Sequence, residues 1–418
     1  MSLADIDRRV LWHPFTQMAE WEPLVIVSGD GCWLVDERGR RYLDGVSSLW
    51  CNVHGHRHPR LDRALRDQVD KLAHSTFLGL AHEPGIRLAD ALISVAPSGL
   101  SRVFFSDSGS SAVEIALKQS FQYWQLRGRT SKQRFLRLTD AYHGDTLGAV
   151  GVGGIELFQR VFGPLLVQSI AIPSPAGTDG RDALARIERE LEQRAYEIAA
   201  LVMEPLVQGA AGMLVHPPGF LGAAAELCRR HHVHLIVDEV ATGFGRTGRL
   251  FACEHEGVTP DFLCLAKGIT GGYLPLAATL STEEVYDAFL GPRSEMKHFF
   301  HGHTYTANPL ACAVGIESLA LLRDSTLGHA QALEPELAAA VERIGRMAGV
   351  REVRRCGWMV GIELERGAAA TCARVRNHGV ILRQLGEVVV WMPPLVLAKS
   401  ELELLEQATA AAIREVHG

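Results

Sequence analysis

Short apolar runs alternate with helical segments through most of this chain, and this alternation limits the fold more than any other feature. The runs of strand length lie at residues 103–105, 135–138, 201–203, 235–237 and 262–265. Segments with helical periodicity separate them, among them residues 111–125, 181–195 and 219–231. Strands that alternate with helices form a mainly parallel, doubly wound sheet, whose ligands gather beyond the carboxyl ends of the strands. The sequence therefore predicts an α/β fold.

The pattern changes at two places, which divide the chain into three predicted regions. Residues 1–58 carry short alternating runs with Asp-Gly and Arg-Gly turns, typical of small antiparallel hairpins. Residues 59–310 contain the strand–helix alternation. Residues 311–418 contain a charged helix, an apolar run and a closing helix near 400–416. We expect these last residues to form a smaller α+β domain, joined by the N-terminal segment, which also contributes to the active site.

Composition argues against several classes of protein. With 47% hydrophobic and 22% charged residues and a net charge of −6, the chain is typical of globular enzymes. Acids and bases are interspersed, so we expect no binding to nucleic acid or to an anionic membrane surface. The apolar stretches are too short to span a membrane, and residues 1–9 contain no apolar signal core. Eight cysteines form no CxxC pair and the histidines lack zinc-site spacing, so we expect reduced thiols, a cytoplasmic location and no metal.

Two neighbouring strand patterns each end in one ionisable group. Lys267 follows the run at 262–265, and Asp238 follows the run at 235–237. Burial at a strand end lowers the pKa of a lysine toward that of a nucleophilic amine. A carboxylate on the next strand can keep a ring nitrogen protonated. Pyridoxal phosphate chemistry requires such an amine and such a carboxylate, so the sequence predicts this cofactor.

Two further segments follow strands of the same predicted sheet. Gly109 and Ser110 open a helix after the run at 103–105, where small residues and free N–H groups favour a phosphate. Ordinary helix capping explains that segment equally well when it is taken alone. Tyr142 follows the run at 135–138 and could stack on a planar cofactor, although a partly buried tyrosine in a turn is common.

A later loop and two arginines are further candidates. Gly302, His303 and Thr304 lie in a loop that leads into a helix and could supply additional phosphate donors. Arg246 and Arg383 could each bind a carboxylate through a guanidinium fork. Most arginines are solvated surface residues, so the sequence also allows Arg246 and Arg383 to be surface residues without a functional role.

Taken together, these segments resemble the class III pyridoxal-phosphate aminotransferases over essentially the whole chain. The segments that carry the resemblance are Ser108-Gly109-Ser110, Tyr142-His143-Gly144-Asp145, Glu204-Pro205, residues 238–248, Leu265-Ala266-Lys267-Gly268 and His303-Thr304-Tyr305. The resemblance implies the fold-type I architecture of pyridoxal-phosphate transferases. It also implies a homodimer with shared active sites and small-molecule substrates.

The same resemblance implies roles for single residues. Lys267 would bind the aldehyde carbon of the cofactor covalently and then move the substrate proton, while Asp238 would pair with the ring nitrogen. Tyr142 would stack on the ring. The phosphate would be held by Gly109, Ser110 and His303, together with the partner subunit's Thr304. The substrate would contact Phe15, Trp50, Asp145, Arg246, Gly302 and Arg383, with Arg383 taking a carboxylate. The roles of His143 and Glu204 stay open.

Residues 11–18 and 44–56 resemble one subfamily more closely, which converts 8-amino-7-oxononanoate to 7,8-diaminononanoate in biotin biosynthesis. Phe15 and Leu49 stand where the best-known form has a tyrosine and a tryptophan. Phe15 removes a hydroxyl from the predicted donor pocket, and Leu49 removes one aromatic wall. Since aromatic faces attract the sulfonium of S-adenosylmethionine, the loss at Leu49 brings lysine forward as an alternative amino donor, with S-adenosylmethionine still first. Another class III ω-amino-acid transaminase, linked to pyruvate or 2-oxoglutarate, is the second hypothesis. A non-catalytic protein that binds pyridoxal phosphate is the third.

Overall fold

The structure, a computed structural model, describes residues 1–418. Its first segment contains α1 (Leu3–Val10), β1 (Ile26–Asp30), β2 (Trp33–Asp36), β3 (Arg41–Asp44) and the short α2 (Ser47–Trp50). The three strands form antiparallel hairpins, as the turn pattern predicts. A fourth strand from the C-terminal part of the chain, Val380–Ile381, pairs in parallel with β3. The N-terminal segment is therefore tied directly to the end of the chain.

The central part of the chain forms a seven-stranded sheet with its helices. Its first elements are α3 (Pro59–Val69), α4 (Glu83–Val95), β4 (Leu100–Ser106), α5 (Gly109–Leu126), β5 (Arg134–Leu138), α6 (Leu147–Val152), α7 (Glu156–Phe162) and β6 (Ser169–Ile172). There follow α8 (Arg181–Arg194), β7 (Ile198–Met203), β8 (Val207–Gln208), β9 (Leu214–Val215), α9 (Phe220–Arg230), β10 (His234–Asp238), β11 (Phe262–Leu265), β12 (Ala277–Thr282) and α10 (Glu283–Asp287).

The seven strands lie in the order β4-β12-β11-β10-β7-β5-β6. Strands β11, β10, β7, β5 and β6 pair in parallel, whereas β12 runs antiparallel to both β11 and β4. The predicted mainly parallel sheet is confirmed. Every residue of β7 is buried, which explains its uninterrupted apolar sequence Ile-Ala-Ala-Leu-Val-Met. Since β12 is reversed, its first residues lie at the same sheet edge as the carboxyl ends of the parallel strands.

The last part of the chain builds a second, antiparallel sheet with helices. Its elements are α11 (Pro309–Leu321), a π-helical turn (Leu322–Thr326), α12 (Leu327–Gly345), β13 (Val350–Cys356), β14 (Met359–Leu364), α13 (Ala368–Val375), β15 (Val380–Ile381), β16 (Arg383–Leu385), β17 (Val388–Trp391) and α14 (Lys399–His417). The strand order is β13-β14-β17-β16. Short 3₁₀ turns lie at Met18–Glu20, Gly163–Leu165, Ala252–His255, Lys267–Thr270, Arg293–Glu295 and Arg376–His378. No helix combines the length and the apolar character needed to cross a membrane.

Candidate active site

A cavity of about 730 Å³ opens at the carboxyl ends of the parallel strands. Strands β4, β5, β7, β10 and β11 each deliver a polar segment to it directly after the strand ends. Seven of the residues singled out from the sequence line this cavity: Trp50, Gly109, Ser110, Tyr142, Asp145, Asp238 and Lys267. The edge of the sheet therefore brings together groups that are up to 217 positions apart in the chain, the separation from Trp50 to Lys267.

Lys267 lies two residues beyond the end of β11 and opens the 3₁₀ turn Lys267–Thr270. Its φ of +43° places a non-glycine residue in the left-handed region, which is sterically unfavourable. The amine is enclosed, with the Trp50 ring centroid 4.6 Å from Nζ. Burial lowers the pKa of Lys267, and the negative charge of Asp238 opposes that shift. The structure thus enriches the neutral, nucleophilic amine.

Asp238 is the last residue of β10 and is only 4% exposed. Its backbone pairs in parallel with Cys264 of β11, which places it beside the strand that leads to Lys267. One carboxylate oxygen, Oδ1, accepts a hydrogen bond from the backbone N–H of Val240 at 3.0 Å. The other, Oδ2, lies 2.8 Å from Nδ1 of His143. The second ring nitrogen of His143, Nε2, is buried without a partner.

The segment before α5 forms a cradle of small residues. Ser108 caps the helix, its hydroxyl accepting a hydrogen bond from the N–H of Ser111 at 3.2 Å. A Cβ at Gly109 would lie 2.5 Å from a methyl group of Val240, so this position tolerates no side chain without a shift. The Ser110 hydroxyl lies 2.7 Å from that of Thr146. Free N–H groups at the start of an 18-residue helix favour an anion here.

Tyr142 is held at both ends. Its hydroxyl donates to Oδ2 of Asp145 at 2.9 Å, and its backbone N–H donates to Oε2 of Glu204 at 3.1 Å. The other oxygen of Glu204 accepts from the N–H of Gly209 at 2.9 Å. Burial raises the pKa of Glu204 to about 7. Glu204, left open from the sequence, therefore supports the backbone that carries Tyr142.

Five other candidates lie outside the lining of this cavity. Phe15 is 62% exposed, and its ring centroid lies 5.9 Å from that of Phe158, which is 6.3 Å from that of Tyr142. Arg383 is exposed on β16, near enough for its charge to oppose the burial-driven rise in the Tyr142 pKa. The remaining three share one loop, in which His303 Nε2 lies 4.0 Å from Asp107: Gly302, His303 and Thr304.

Arg246 corrects the sequence-based interpretation. It is 1% exposed, and it does not line the cavity. Its Nη1 donates to the carbonyl oxygens of Met392 and Pro393, the latter at 2.5 Å. Its Nη2 donates to the Ser47 hydroxyl at 2.9 Å and to the Trp50 carbonyl at 3.3 Å. Both ends of the guanidinium fork are occupied by the protein itself, so Arg246 joins the N-terminal segment to the second sheet and is not free for a substrate carboxylate.

Several lining residues were not singled out from the sequence. Cys51 follows Trp50 in the wall, and Thr146 closes the phosphate cradle through Ser110. Tyr273 and the residues around it arrive with the reversed strand β12. Thr146 had a usable signal, since it directly precedes helix α6 in the segment that begins with Tyr142. Tyr273 had none, because β12 carries no pattern that reveals its reversed direction.

The arrangement fits pyridoxal phosphate. An enclosed amine lies beside a buried carboxylate, and a small-residue cradle at a helix N-terminus lies in the same cavity. A Cβ on Gly144, whose φ is +118°, would lie 2.4 Å from the Ser110 side chain, so the cradle depends on glycine at that position too. Together these groups supply a nucleophile, an acceptor for a protonated ring nitrogen and a phosphate site.

A family model described as "Aminotransferase class-III" matches residues 16–413. The chain therefore belongs to the class III aminotransferases and is a pyridoxal-phosphate-dependent transaminase. Over its whole length it is 49% identical to the adenosylmethionine-8-amino-7-oxononanoate aminotransferase of Geobacter sulfurreducens, of which the match covers 98%.

Solved structures agree with this assignment. The crystal structure of adenosylmethionine-8-amino-7-oxononanoate aminotransferase from Methanocaldococcus jannaschii matches with a TM-score of 0.96 at 38% identity, over 99% of this chain and 98% of that one. An amine transaminase from an uncultivated Pseudomonas species, in its PLP-bound form, matches with a TM-score of 0.92 at 35% identity, over 98% and 99% of the two chains. The fold-type I architecture is thereby confirmed.

Proposed function

We propose that the protein converts 8-amino-7-oxononanoate to 7,8-diaminononanoate in biotin biosynthesis, with S-adenosylmethionine as amino donor. The full-length identity of 49% to a relative named for this reaction supports the substrate. The observation that carries the chemistry is the enclosed Lys267 amine beside Asp238 and the phosphate cradle at Gly109.

Bound pyridoxal phosphate supplies an electron sink for the pair released when a C–H bond of the amino donor breaks. Lys267 would hold the cofactor through its amine, and the free amine would carry the substrate proton over a short distance. Asp238 would accept a hydrogen bond from the N–H of the cofactor ring and keep the positive charge there. His143 orients that carboxylate through the 2.8 Å contact. Ser110 and the helix N-terminus bind the phosphate, and Tyr142 covers the ring and excludes water.

The substrate contacts follow from the rim of the cavity. Arg383, exposed on β16, binds the carboxylate of the keto substrate. Asp145 lies in the cavity with its carboxylate on the Tyr142 hydroxyl, available to an amino group of the substrate. Gly302 lies in the loop at 298–308, outside the lining of the cavity, and its proposed substrate contact rests on the resemblance to the family.

The aromatic wall of the cavity supports S-adenosylmethionine as the amino donor. Trp50 lines the cavity, and its ring centroid lies 4.6 Å from Nζ of Lys267, so its aromatic face is turned toward the reacting groups. An aromatic face of this kind suits the sulfonium of S-adenosylmethionine. Phe15 lacks the hydroxyl of a tyrosine, which is why lysine remains the alternative donor.

We propose a homodimer with shared sites, in which His303 and the partner subunit's Thr304 complete the phosphate site. Thr304 does not line the cavity of its own chain. Its loop carries the exposed side chains Phe300 and Tyr305, and the Tyr305 ring lies 4.9 Å from that of His74, in a segment that also exposes Leu78 and Leu80. These apolar side chains would be buried between two copies. The protein is proposed to act in the cytoplasm, where its eight free thiols would stay reduced. We also propose that the chain divides after residues 58 and 310 into an N-terminal segment, a large cofactor-binding domain and a small C-terminal domain.

A half-reaction screen tests the function. Loaded protein is mixed with S-adenosylmethionine or with lysine at equal concentration, and the visible absorbance of the cofactor is followed. The donor that bleaches the band faster is the amino donor. 8-Amino-7-oxononanoate should then restore the band; if it fails and pyruvate succeeds, the substrate assignment is wrong.

Restoration of the band by pyruvate and not by 8-amino-7-oxononanoate would favour an ω-amino-acid transaminase. One observation keeps this candidate in view: ω-transaminases of Pseudomonas jessenii match with a TM-score of 0.94 at 28% identity. The higher identity to the biotin-pathway relatives places it second.

A further inference from the structure

A buried chain of hydrogen bonds ends on the turn that carries Lys267. His54 is 2% exposed, and its Nδ1 lies 2.9 Å from the hydroxyl of Thr326. Its Nε2 lies 3.0 Å from the carbonyl oxygen and 3.1 Å from the hydroxyl of Ser318. The Ser318 hydroxyl in turn donates to the carbonyl oxygen of Gly268 at 3.2 Å. Gly268 is the residue directly after Lys267.

The direction of these hydrogen bonds follows from their partners. Burial lowers the pKa of His54 to about 3, so the ring is neutral and carries one N–H. A carbonyl oxygen can only accept, so Nε2 donates to Ser318 and Nδ1 accepts from Thr326. The Ser318 hydroxyl is then free to donate its single proton to Gly268. All donors point the same way, toward the Lys267 turn.

The surroundings of this chain leave little room for movement. A Cβ at Gly271, just beyond the turn, would lie 2.9 Å from the His54 ring. Thr326 is the last residue of the π-helical turn between α11 and α12, an irregularity that is frequently found at functional sites. Lys267 itself holds a φ of +43°, which persists only where neighbouring contacts enforce it.

We propose that His54, acting through Ser318, is a positioning residue for Lys267. The two side chains hold the turn Lys267–Thr270 against α11, so that the Lys267 amine is aimed into the cavity. His54 touches neither substrate nor cofactor in this account and transfers no proton. The proposal rests on the assignment of Lys267 as the cofactor-binding amine under the proposed function.

The test compares variants along the chain with a matched pair elsewhere. Ser318→Ala removes the final donor, and His54→Leu removes both ring contacts. His54→Gln places an amide N–H near the position of Nε2 and should restore part of the contact. The control is Ser120→Ala, since Ser120 and His234 form another buried pair at 2.9 Å that does not line the active-site cavity.

Ser318→Ala and His54→Leu should lower kcat about 10-fold with KM changed less than about 2-fold, the effect of one misplaced group held by a buried hydrogen bond. They should also shift the pH midpoint of the cofactor absorbance band by about half a pH unit or more. His54→Gln should recover a measurable part of both losses. Ser120→Ala should lower the thermal midpoint of the cofactor-free protein while leaving kcat and the pH midpoint unchanged.

The proposal is overturned if Ser318→Ala keeps the kcat and pH midpoint of the wild type. It is overturned equally if the Ser120→Ala control shows the same kcat and midpoint changes, because the effect would then be general loss of stability. Borohydride trapping of the wild type distinguishes a failure of the proposed function from a failure of the positioning role of His54. Absence of an adduct at Lys267 would remove the proposed function itself, whatever the variants show.

Discussion

Nδ1 of His143, which follows β5, and Oδ2 of Asp238, the last residue of β10, lie 2.8 Å apart in the interior of the protein. Neither side chain reaches solvent to more than 5%. A buried carboxylate in a low-dielectric site retains its charge only where hydrogen bonds and nearby positive charges support it. The pair therefore links the ring-nitrogen acceptor to a second group whose position along the chain, 95 residues earlier, gives no hint of the contact.

Replacing His143 by leucine should lower kcat by about 10- to 100-fold, since a hydrogen bond to a charged group contributes about 1.5–3 kcal/mol. His143→Asn should restore much of the rate, because its amide can donate to Asp238 from a similar position. Single-turnover kinetics with the amino donor measure the effect. A wild-type rate for the leucine variant would show that the contact with Asp238 is irrelevant to turnover.

Gly109→Ala should weaken cofactor binding by about 5- to 100-fold, the range expected for overpacking that costs about 1–3 kcal/mol. The added methyl would meet Val240 at 2.5 Å and displace the cradle. The matched control is Gly328→Ala within α12, where a Cβ meets nothing within 4 Å. Equilibrium titration with pyridoxal phosphate should find an unchanged dissociation constant for the control. An unchanged constant for Gly109→Ala would remove this residue from the phosphate site.

Glu204 should make the cofactor-free protein less stable as the pH rises from about 4.5 to about 7. Burial raises the pKa of this carboxyl from 4.5 to about 7, so the native protein binds the proton more tightly than the unfolded chain. The resulting stabilisation is full below about pH 4.5 and is lost as the pH rises through 7. Glu204→Gln should flatten this pH dependence, and thermal midpoints at pH 5 and pH 8 measure it. An unchanged or steeper pH dependence in the variant would contradict a raised pKa at Glu204. Burial also raises the pKa of Glu239 to about 7, and this residue is unchanged in the variant, so part of the pH dependence should remain.

Arg246 and Arg383 should behave differently when each is changed to lysine. Arg246→Lys should lower the thermal midpoint, since a lysine cannot replace the two-ended contacts to Ser47 and Pro393, and a lost hydrogen bond from a charged group costs about 1.5–3 kcal/mol. Arg383→Lys should raise KM for the keto substrate about 10-fold with an unchanged midpoint. Steady-state kinetics and calorimetry on both variants decide the matter. A raised KM with normal stability for Arg246→Lys would reverse the two assignments.

Much of the fold could be predicted because buried strands and helices show a local periodicity of apolar residues. The strand at 262–265 is found in the structure with the same bounds, and α8 at Arg181–Arg194 ends one residue before the predicted helical segment 181–195. Strand β12 was missed, because its sequence Ala-Ala-Thr-Leu-Ser-Thr is weakly apolar and its reversed direction depends on pairing with β4 and β11. Direction within a sheet is a tertiary property and leaves no periodic signal.

Some site residues could likewise be predicted from local sequence patterns, and others could not. Lys267, Asp238 and Gly109 lie at or within three residues of the carboxyl ends of strands, so their convergence at one sheet edge could be predicted from the strand pattern. Arg246 was misassigned, because its acceptors at Ser47, Met392 and Pro393 lie about 150 to 200 positions away and only folding brings them together. The chain from His54 to Gly268 is hidden for the same reason. Hydrogen bonds across such separations depend on the packed structure and not on local sequence.

Borohydride reduction followed by peptide mass spectrometry tests the central claim most directly. Purified protein loaded with pyridoxal phosphate should yield one modified peptide, with the added mass on Lys267, and Lys267→Ala should fold, bind less cofactor and show no turnover. Modification of another lysine in place of Lys267, or normal turnover by Lys267→Ala, would contradict the account.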